Sequence, residues 1–416
     1  MSEIPSKNYD VIVVGGGTAG VMSAIAAAKE NKQVLLIEKA NVLGGLATLA
    51  EVGTICGLYR NSSSEEFEFN IGRSARRFVE QLQSRCESTP QKDPTGLKYL
   101  PYQPVVLNEL CIDLLNEHSI DFVLNAEITG VEENESAILS VNLLFEGKQA
   151  SVKAHAYVDA SGISCLSTYL NQDLIDTDFT QAASQVFSLS NVEFSSETQL
   201  SLILRIALGR GISSKVLENH QDRVYLVPGS LKNNSVSLKV TVPLPVDQTN
   251  SEQLRQSAEG MIHSILDYLK SSAKGFESVE LQSIADSVGI RVVQRARGEY
   301  VLNGQDVLNC QKPENGIAYG NWPIEIWSQA QRVELRHLKE NDYYSIPVAS
   351  LISQNIRNLF FAGRNISADD EAMASARVIG TCLQTGIAAG MLAAAQMVET
   401  SSIEEIVDRI RTSEFN

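Results

Sequence analysis

The sequence predicts an α/β fold whose first unit is a parallel sheet with a helix packed on it. Two short apolar runs at residues 11–14 and 34–37 are rich in β-branched and aliphatic residues, as are strands that are buried on both faces. Residues 21–30, which lie between these runs, are rich in alanine and contain no proline or glycine, so they favour a helix. Strand, helix and strand in this order predict a β-α-β unit.

A glycine-rich turn directly follows the first predicted strand. Gly15, Gly17 and Gly20 fit the pattern G-x-G-x-x-G, whose glycines permit a tight turn, close approach of the backbone to a pyrophosphate, and close packing of helix on strand. Glu38 ends the second predicted strand, where a carboxylate accepts hydrogen bonds from ribose hydroxyls and disfavours a 2′-phosphate. Together these features predict a Rossmann-like dinucleotide site, with the phosphates at the N-terminus of the helix.

A second glycine turn, Gly44-Gly45, lies shortly after the second predicted strand. A nicotinamide enzyme seldom needs a glycine pair there, whereas a flavin dinucleotide needs room for its pyrophosphate and ribityl chain. The sequence therefore favours FAD as the cofactor. Further candidate contacts lie beside the two turns, at Thr18, Ala19, Lys39, Leu46, Ala47 and Thr48.

Later stretches extend the predicted sheet. Residues 104–118 have the period of an amphipathic helix, and residues 121–125 and 127–131 suggest strands, which adds Ile128 to the candidate contacts. A strand near residue 158 ends in small residues, so a cofactor can lie against the backbone at Ala160 and Gly162. Residues 359–361 predict a last buried strand, and one helix is expected to start between residues 372 and 381 and to run to about 398.

The expected division of the chain follows from these patterns. Residues 7–184 and 341–400 form a discontinuous FAD-binding domain, with a loop or cap insertion at about 61–103. Residues 185–340 lack glycine fingerprints and form an inserted α+β domain that shapes the substrate pocket, and residues 401–416 form a tail helix. Residues 61–70 and 84–104 are polar or rich in proline, which predicts surface loops.

Composition excludes several classes of protein. A formal net charge of -16 over 416 residues argues against nucleic-acid binding. The N-terminus has no apolar signal region, and the long apolar segment 372–398 contains Arg377 and Gln384, which favours a buried helix over a membrane span. Six scattered cysteines without a C-x-x-C pair indicate neither a metal site nor an iron–sulfur cluster, and they suit a cytoplasmic location.

Several motifs together resemble a known family. Residues 362–390 read AGRNISADDEAMASARVIGTCLQTGIAAG, and other matches are GGGTAG at 15–20, LGGLAT at 43–48, GIR at 289–291, RGEYVL at 297–302 and WPIEI at 322–326. Over essentially its full length the chain resembles FAD-dependent oxidoreductases with a glutathione-reductase-type FAD domain, and in particular the branch with a C-terminal AGR-x-I-S-A motif. The resemblance implies that Gly363 and Arg364 lie near the ribityl chain and flavin. It also implies that the C-terminal helix, with Gly380 and Thr381, approaches the isoalloxazine.

The chain departs from its relatives at three places. Relatives tend to have D-G-D after the small-residue strand, where this chain has Gly162-Ile163-Ser164. A histidine commonly follows W-P-I-D, where this chain has Trp327, and the charged run usual after GIR is replaced by Val292-Val293-Gln294. These changes leave FAD binding intact, but the substrate chemistry of relatives does not transfer with it.

Candidate catalytic residues are few. Arg291 and Arg364 are candidate anchors for a substrate carboxylate or for the flavin anion, because a guanidinium stays charged and binds carboxylates bidentately; the alternative is a structural ion pair. Cys56 is a candidate thiol or covalent attachment point at the flavin, with a buried small hydrophobe as the alternative, and Tyr59 is a candidate substrate contact. His337 lies in a charged stretch that predicts a surface helix.

The sequence thus predicts an FAD-dependent oxidoreductase that transfers a hydride at flavin N5 to or from a small organic substrate. The partner that takes or supplies the electrons is left open between oxygen, a quinone, a carrier protein and NAD(P)H, and an oligomer is possible. Two alternatives are a flavin-dependent monooxygenase or halogenase, disfavoured because the chain has no G-W-x-W-x-I-P stretch, and a flavin-binding sensor or assembly subunit without turnover.

Overall fold

The structure is a computed structural model that describes residues 8–177, 181–244, 251–329, 333–396 and 402–415. Residues 7, 400, 401 and 416, which bound the expected segments, lie outside the described residues. The helices are α1 (Thr18–Lys29), α2 (Leu46–Leu49), α3 (Arg73–Cys86), α4 (Pro104–Glu117), α5 (Cys165–Tyr169), α6 (Glu197–Ser213), α7 (Ser251–Ser272), α8 (Gly304–Leu308), α9 (Asp370–Ala376), α10 (Ile379–Ala395) and α11 (Ile403–Glu414).

The strands are β1 (Tyr9–Val14), β2 (Val34–Ile37), β3 (Thr54–Cys56), β4 (Gln91–Lys92), β5 (Lys98–Pro101), β6 (Asp121–Val123), β7 (Ala126–Asn134), β8 (Ala137–Phe145), β9 (Lys148–Val152), β10 (Ala154–Asp159), β11 (Leu174–Ile175), β12 (Ala183–Ser190), β13 (Val224–Leu226), β14 (Val236–Val242), β15 (Glu280–Ile284), β16 (Arg295–Ala296), β17 (Gly316–Gly320), β18 (Ile324–Ile326), β19 (Glu334–Arg336), β20 (Tyr344–Pro347) and β21 (Leu359–Phe361).

Five parallel strands form the central sheet, in the order β21-β10-β1-β2-β6. The predicted strands at residues 11–14 and 34–37 are neighbours in this sheet and are buried on both faces. Helix α1 connects them, as a parallel pair requires. The predicted α/β fold with a parallel sheet is confirmed.

Helices α1 and α10 pack against each other at very short range. A Cβ atom on Gly386 would lie 2.2 Å from the carbonyl oxygen of Ala19, and one on Gly390 would lie 2.1 Å from that of Ser23. Only glycine allows the two backbones to approach this closely. The contact fixes α10, which is buried along almost its whole length, beside the glycine-rich turn that precedes α1.

A second sheet is antiparallel, with the strand order β13-β14-β12-β15. Along β14, Val236, Leu238 and Val240 belong to an apolar core that they share with side chains of α6 and α7. The alternate residues, including Lys239 and Thr241, therefore lie on the opposite face of the sheet. Apart from Ala183 and Ser184 at the start of β12, this sheet falls within residues 185–340, the segment expected to form the inserted domain. The boundaries of that division stay a prediction.

Smaller sheets complete the described structure. Strands β7, β8 and β9 form an antiparallel sheet, and β3, β5 and β4 form another. Three two-stranded pairs, β17-β20, β18-β19 and β11-β16, surround the return of the chain to the central sheet.

Two of the expected loop and helix assignments are wrong. Residues 84–104 were expected to be a surface loop, but β5 within them pairs with β3, and Leu100 on β5 is fully buried. His337 was expected in a helix, but it directly follows β19, which pairs with β18. Pairing with the distant strand β3 in the first place, and with the nearby strand β18 in the second, overrides the local pattern.

The C-terminal helix is also not the single helix that its composition suggested. Two helices, α9 and α10, are separated by Arg377 and Val378, and their axes differ by 97°. Within the described ranges no single helix is both long and apolar enough to cross a membrane, although α9 and α10 together meet that length and composition. The bend allows a new helix N-terminus to form at residue 379.

A buried ion pair fixes the start of α9. The Arg295 guanidinium lies 2.7 Å from the Asp370 carboxylate, and the two side chains are only 1% and 3% exposed. Arg295 also donates to the carbonyl oxygens of Ala368 and Val293, both at 2.9 Å. The pair ties β16 to the helix that leads into α10.

We expect Arg295→Ala to lower the free energy of unfolding by about 3–5 kcal/mol, because it leaves the Asp370 carboxylate buried without its ion-pair partner. Urea unfolding of the variant measures this loss, with Arg205→Ala on the exposed face of α6 as the control. The double variant Arg295→Met, Asp370→Leu should recover most of the loss. Equal stability of Arg295→Ala and Arg205→Ala would contradict the prediction.

Candidate functional site

The glycine-rich turn lies at the carboxyl edge of the central sheet. At two of its positions, Gly15 and Gly20, a side chain would clash with the surrounding backbone. Gly15 has a φ of +103°, and a Cβ atom on it would lie 2.5 Å from the carbonyl oxygen of Ala160. A Cβ atom on Gly20 would lie 1.8 Å from the carbonyl oxygen of Gly15. These contacts hold the turn between β10 and the first turn of α1.

Gly17 differs from these two glycines because nothing lies within 4 Å of the position that its Cβ would take. Its φ of -66° is also open to any residue. No side chain caps α1, at whose N-cap Gly17 stands, so the first N–H groups of this helix are available to a ligand. An open glycine at an uncapped helix N-terminus forms a cradle that fits a pyrophosphate.

The Glu38 carboxylate is held in place by two backbone groups. Its side chain is 7% exposed and accepts hydrogen bonds from the N–H of Gly16 at 2.6 Å and from the N–H of Ala40 at 2.7 Å. A carboxylate has about four acceptor positions, so others remain for ribose hydroxyls. Glu38 thus both supports the glycine turn and faces the place where a ribose would lie.

Two candidate contacts flank Glu38. Lys39 is exposed, whereas Ile128 on β7 is buried. The N–H of Ala126 donates to the Glu38 carbonyl oxygen at 3.0 Å, which brings β7 alongside the end of β2. Lys39 is therefore the chain neighbour of Glu38, and Ile128 lies on the strand whose first residue, Ala126, bonds to it.

The second glycine turn touches the first. Gly44 and Gly45 have φ angles of +94° and +58°, and the N–H of Gly44 donates to the carbonyl oxygen of Gly16 at 2.8 Å. A Cβ atom on Gly45 would lie 3.0 Å from the Cα of Gly17. The two turns therefore border the same open space.

The short helix α2 begins at Leu46, directly after this turn. The carbonyl oxygen of Ala47 accepts a hydrogen bond from the Tyr102 hydroxyl at 2.8 Å. The Thr48 hydroxyl is buried and has no hydrogen-bond partner among the described residues. Such an orphaned group indicates that a polar ligand belongs here.

The AGR turn closes the site from the other side. Gly363, at a φ of +65°, donates its N–H to the Thr385 hydroxyl of α10 at 3.1 Å, and a Cβ on it would lie 2.8 Å from that of Ala19. A Cβ on Gly162 would lie 2.5 Å from the Arg364 guanidinium, so this glycine makes room for that side chain. Burial lowers the pKa of Arg364, which donates to the carbonyl oxygen of Ile290 at 3.0 Å.

Asp159 and Asn365 join these turns, and sequence reasoning did not identify either. Fully buried Asp159 accepts hydrogen bonds from the Ser161 hydroxyl at 2.6 Å, from the Leu166 N–H at 2.8 Å and from the Asn365 amide at 2.5 Å. The Asn365 carbonyl in turn accepts from the Ser164 N–H at 3.0 Å. The only signal in the sequence was that Asn365 directly follows the AGR motif.

A second group of polar side chains lies where α10 begins. A Cβ atom on Gly380 would lie 2.6 Å from the carbonyl oxygen of Gly57, so the N-terminus of α10 abuts the end of β3. The Thr381 hydroxyl there is buried and has no described partner. Desolvation and the negative charge of Glu325 raise the pKa of the Cys56 thiol far above its usual range, which keeps this thiol neutral.

Arg291 and Lys239 meet at Trp327. The distance to the ring centroid of Trp327 is 4.1 Å from the Arg291 guanidinium carbon and 4.7 Å from the Lys239 ammonium nitrogen. Arg291 also donates to the carbonyl oxygen of Ala182. Desolvation and Arg377 lower the pKa of Arg291 to about 9, and desolvation and Arg291 lower that of Lys239 to about 8.

Arg377 completes this group, which we call the cation cluster: Lys239, Arg291 and Arg377. Its guanidinium donates to the Gln181 side-chain oxygen at 3.0 Å and to the Glu325 carbonyl oxygen at 2.8 Å. Desolvation lowers its pKa to about 10. Of the cluster, sequence reasoning identified only Arg291 as a functional candidate.

Tyr59 lies apart from the cation cluster. It packs in an aromatic group with Phe67 and Phe69, whose ring centroids are 5.4 and 4.9 Å away. Its hydroxyl is buried without a described partner, and burial raises its pKa well above the usual value. Cys56 and Arg291 are thus linked through Glu325, which acts on the pKa of both, whereas the Tyr59 ring packs against Phe67 and Phe69.

Comparison with known proteins identifies a family for this architecture. A model of the family described as FAD dependent oxidoreductase matches residues 10–413. The chain is 23% identical over 159 residues to digeranylgeranylglycerophospholipid reductase 1 of Methanococcoides burtonii. The aligned stretch covers 37% of this chain and 38% of the relative. It is 29% identical over 175 residues to the digeranylgeranylglycerophospholipid reductase of Methanococcus vannielii, covering 39% and 40%. The alignments thus span about two fifths of these relatives.

Solved structures share the fold. The OxyS anhydrotetracycline hydroxylase of Streptomyces rimosus has a TM-score of 0.54 at 11% identity, over 98% of this chain and 65% of that one. The flavin-dependent brominase Bmp2 has a TM-score of 0.52 at 14% identity, over 98% and 83%. At such identities the likeness shows the fold alone.

We expect Gly17→Ala to fold normally but to bind FAD roughly tenfold to a hundredfold more weakly, because the added methyl group fills only the space left for the pyrophosphate. Titration of the apoprotein with FAD measures the affinity, and the melting temperature of the apoprotein tests folding. Gly260→Ala on α7, which also has open space, is the matched control. Gly20→Ala should instead impair folding. Unchanged FAD affinity in Gly17→Ala would contradict the cradle.

We expect FAD to be released completely by acid precipitation, because a neutral thiol at Cys56 is a poor nucleophile for covalent attachment. The flavin absorption of the supernatant should be the same for the unchanged protein, for Cys56→Ala and for the control Cys310→Ala. Flavin that stays in the pellet of the unchanged protein but not of Cys56→Ala would show that Cys56 is attached to it.

Proposed function

Because the chain belongs to the FAD-dependent oxidoreductase family, we propose that it transfers a hydride between flavin N5 and a small organic substrate held at the cation cluster. Bound FAD supplies the two-electron chemistry. The chain supplies the binding of the cofactor and the binding and orientation of the substrate. The reaction direction is set by that substrate and its electron partner.

The proposal rests on one observation, which is that the antiparallel sheet and the N-terminus of α10 come close to each other. The polar face of the antiparallel sheet carries Lys239, and the N-terminus of α10 lies against the end of β3 at Cys56. Lys239 and Cys56 are close enough to shift each other's pKa. The resemblance predicts that α10 approaches the isoalloxazine with its first turn, so we propose that the substrate meets the flavin where the antiparallel sheet adjoins this turn.

The segment that carries Arg291 joins these parts. The N–H of Ser287 donates to the carbonyl oxygen of Leu49 in α2 at 3.0 Å, and the N–H of Gly289 donates to that of Ser184 on β12 at 2.7 Å. The segment therefore runs from the second glycine turn to the antiparallel sheet. We propose that Arg291 orients the substrate, with its stacking on Trp327 and its bond to Ala182 restricting its motion.

We propose that FAD is held by the residues that converge at the carboxyl edge of the parallel sheet. These are the two glycine turns with their neighbours, the ribose acceptor, and the strand ends and AGR turn beside them: Gly15, Gly17, Thr18, Ala19, Gly20, Glu38, Lys39, Gly44, Gly45, Leu46, Ala47, Thr48, Ile128, Ala160, Gly162, Gly363, Arg364, Gly380 and Thr381. The open cradle at Gly17 and the orphaned Thr48 hydroxyl support this assignment.

A cytoplasmic location stays a prediction; the structure has all six cysteines as free thiols.

Anaerobic redox titration of the holoprotein tests the proposed function. Small organic alcohols, acids and amines are added to the oxidised protein, and unsaturated acids and ketones to the dithionite-reduced protein, while the visible flavin absorption is recorded. We expect at least one compound to change the redox state of the flavin, and Arg291→Met to slow that change at least about tenfold without loss of FAD. Arg210→Met on the exposed face of α6 is the control.

Two outcomes would contradict the proposal. A flavin that dithionite reduces but no organic compound does would favour a sensor or assembly subunit. Consumption of NAD(P)H and oxygen with a hydroxylated or halogenated product would favour the monooxygenase or halogenase alternative. Reoxidation of the reduced protein by oxygen, by a quinone or by a carrier protein then identifies the electron partner.

A further inference from the structure

We propose that the cation cluster binds the substrate through two negative charges, so that the substrate is an organic dianion, either a dicarboxylate or a phosphate monoester. This inference deepens the proposed function and rests on it for the role of the bound molecule. The binding itself is measurable without turnover.

The first argument is the balance of charge. The cluster contains three cationic side chains, and among the described residues the carboxylate that raises the pKa of all three is that of Glu325. The pKa of each cation is lowered mainly by desolvation, which means that the cluster has lost part of its hydration. Cations that have lost water without matching anions destabilise a fold, so a site of this kind fits a ligand that supplies two negative charges.

The structural alternative, an ion pair between domains, accounts for only part of the cluster. Glu325 lies 4.0 Å from the Arg377 guanidinium, and this carboxylate also accepts from the Trp322 indole N–H at 3.3 Å. Among the described residues Lys239 makes no hydrogen bond or ion pair, and its ammonium lies over the face of Trp327. Within the described part of the chain, one carboxylate shared in this way leaves Lys239 and Arg291 without an anionic partner.

The second argument is the orientation of Gln181. Its side-chain oxygen accepts from two groups that can only donate, the Arg377 guanidinium at 3.0 Å and the backbone N–H of Trp327 at 3.1 Å. The amide nitrogen on the other side of this group is then fixed as a donor. Gln181 is only 3% exposed, and this nitrogen has no acceptor among the described residues. An oxygen of a bound anion would satisfy it.

The third argument is that the Trp327 ring borders the cation cluster. Arg291 and Lys239 both lie over its ring, and Tyr225 packs edge-on against it with centroids 5.6 Å apart. The ring restricts both cations without neutralising them, since a cation–π contact compensates charge only weakly. Trp327 thus holds the two cations side by side and leaves their charges for a ligand.

Calorimetry on the oxidised holoprotein tests the inference with a dicarboxylate series from malonate to glutarate and with glycerol phosphate; the neutral diamide of succinate is the control ligand. We expect a dianion to bind and the diamide not to bind. Lys239→Met and Gln181→Leu should each weaken dianion binding at least about tenfold, and Lys239→Arg should restore most of it. Lys232→Met, at an exposed lysine in the turn before β14, should have no effect.

The dependence on pH provides a second readout. Lys239 titrates at about 8 while it faces Arg291, Arg377, Glu325 and Cys56. The dicarboxylates and the phosphate ester are almost fully dianionic at about pH 7, since the second pKa of a phosphate monoester is about 6. An anion binds best while Lys239 is protonated, so affinity should be highest near pH 7 and should fall as the pH rises through about 8. Lys239→Arg should remove this fall. FAD content and melting temperature of each variant show whether it has folded.

The outcomes separate the inference from the proposed function. Tighter binding of a dicarboxylate or of the phosphate ester tells which dianion the site takes. Equal binding of dianions and diamide, or equal effects of Lys239→Met and Lys232→Met, would overturn the inference even if a neutral compound reduces the flavin. Dianion binding that depends on Lys239 in a protein whose flavin no organic compound reduces would uphold the site and overturn the proposed function.

Discussion

The close contact between α1 and α10 is the constraint on which the rest of the structure depends. Gly386 and Gly390 bring the two backbones to a separation that no side chain would allow. Because α10 lies so near α1, the AGR turn that precedes it is held against Ala19, at the start of the glycine cradle. The same helix reaches Gly57 with its first turn, so one rigid element connects the nucleotide site to the cation cluster.

The two halves of the site differ in what supports them. The cofactor half consists of backbone turns, in which Gly15 and Gly20 lie against carbonyl groups and Gly17 is left open. Asp159 and Asn365 hold the strand end and the AGR turn together. The substrate half consists of charged side chains from distant segments that have lost part of their hydration. The first half therefore specifies one cofactor shape, whereas the second half specifies mainly the charge of its ligand.

Much of the cofactor half could be predicted from the sequence, because its signals are local. Gly15, Gly17, Gly20 and Glu38 all fall within one β-α-β unit, where strand period, helix composition and glycine spacing agree. The cation cluster could not be predicted in this way. Lys239 lies in an ordinary alternating strand, and it comes close to Arg291 only because the polar face of the antiparallel sheet lies against Trp327. For the same reason β5 and the bend between α9 and α10 were missed: each depends on contacts with residues distant in the sequence.

The visible absorption spectrum of the purified protein, followed by identification of the released cofactor, tests the central claim most directly. The account predicts an oxidised flavin spectrum and, after acid precipitation, one equivalent of FAD per chain in the supernatant, or uptake of that amount by a protein purified without cofactor. A colourless protein that takes up no FAD, or one that binds a flavin lacking the adenylate part equally well, would contradict it, because the glycine cradle and Glu38 would then have no ligand.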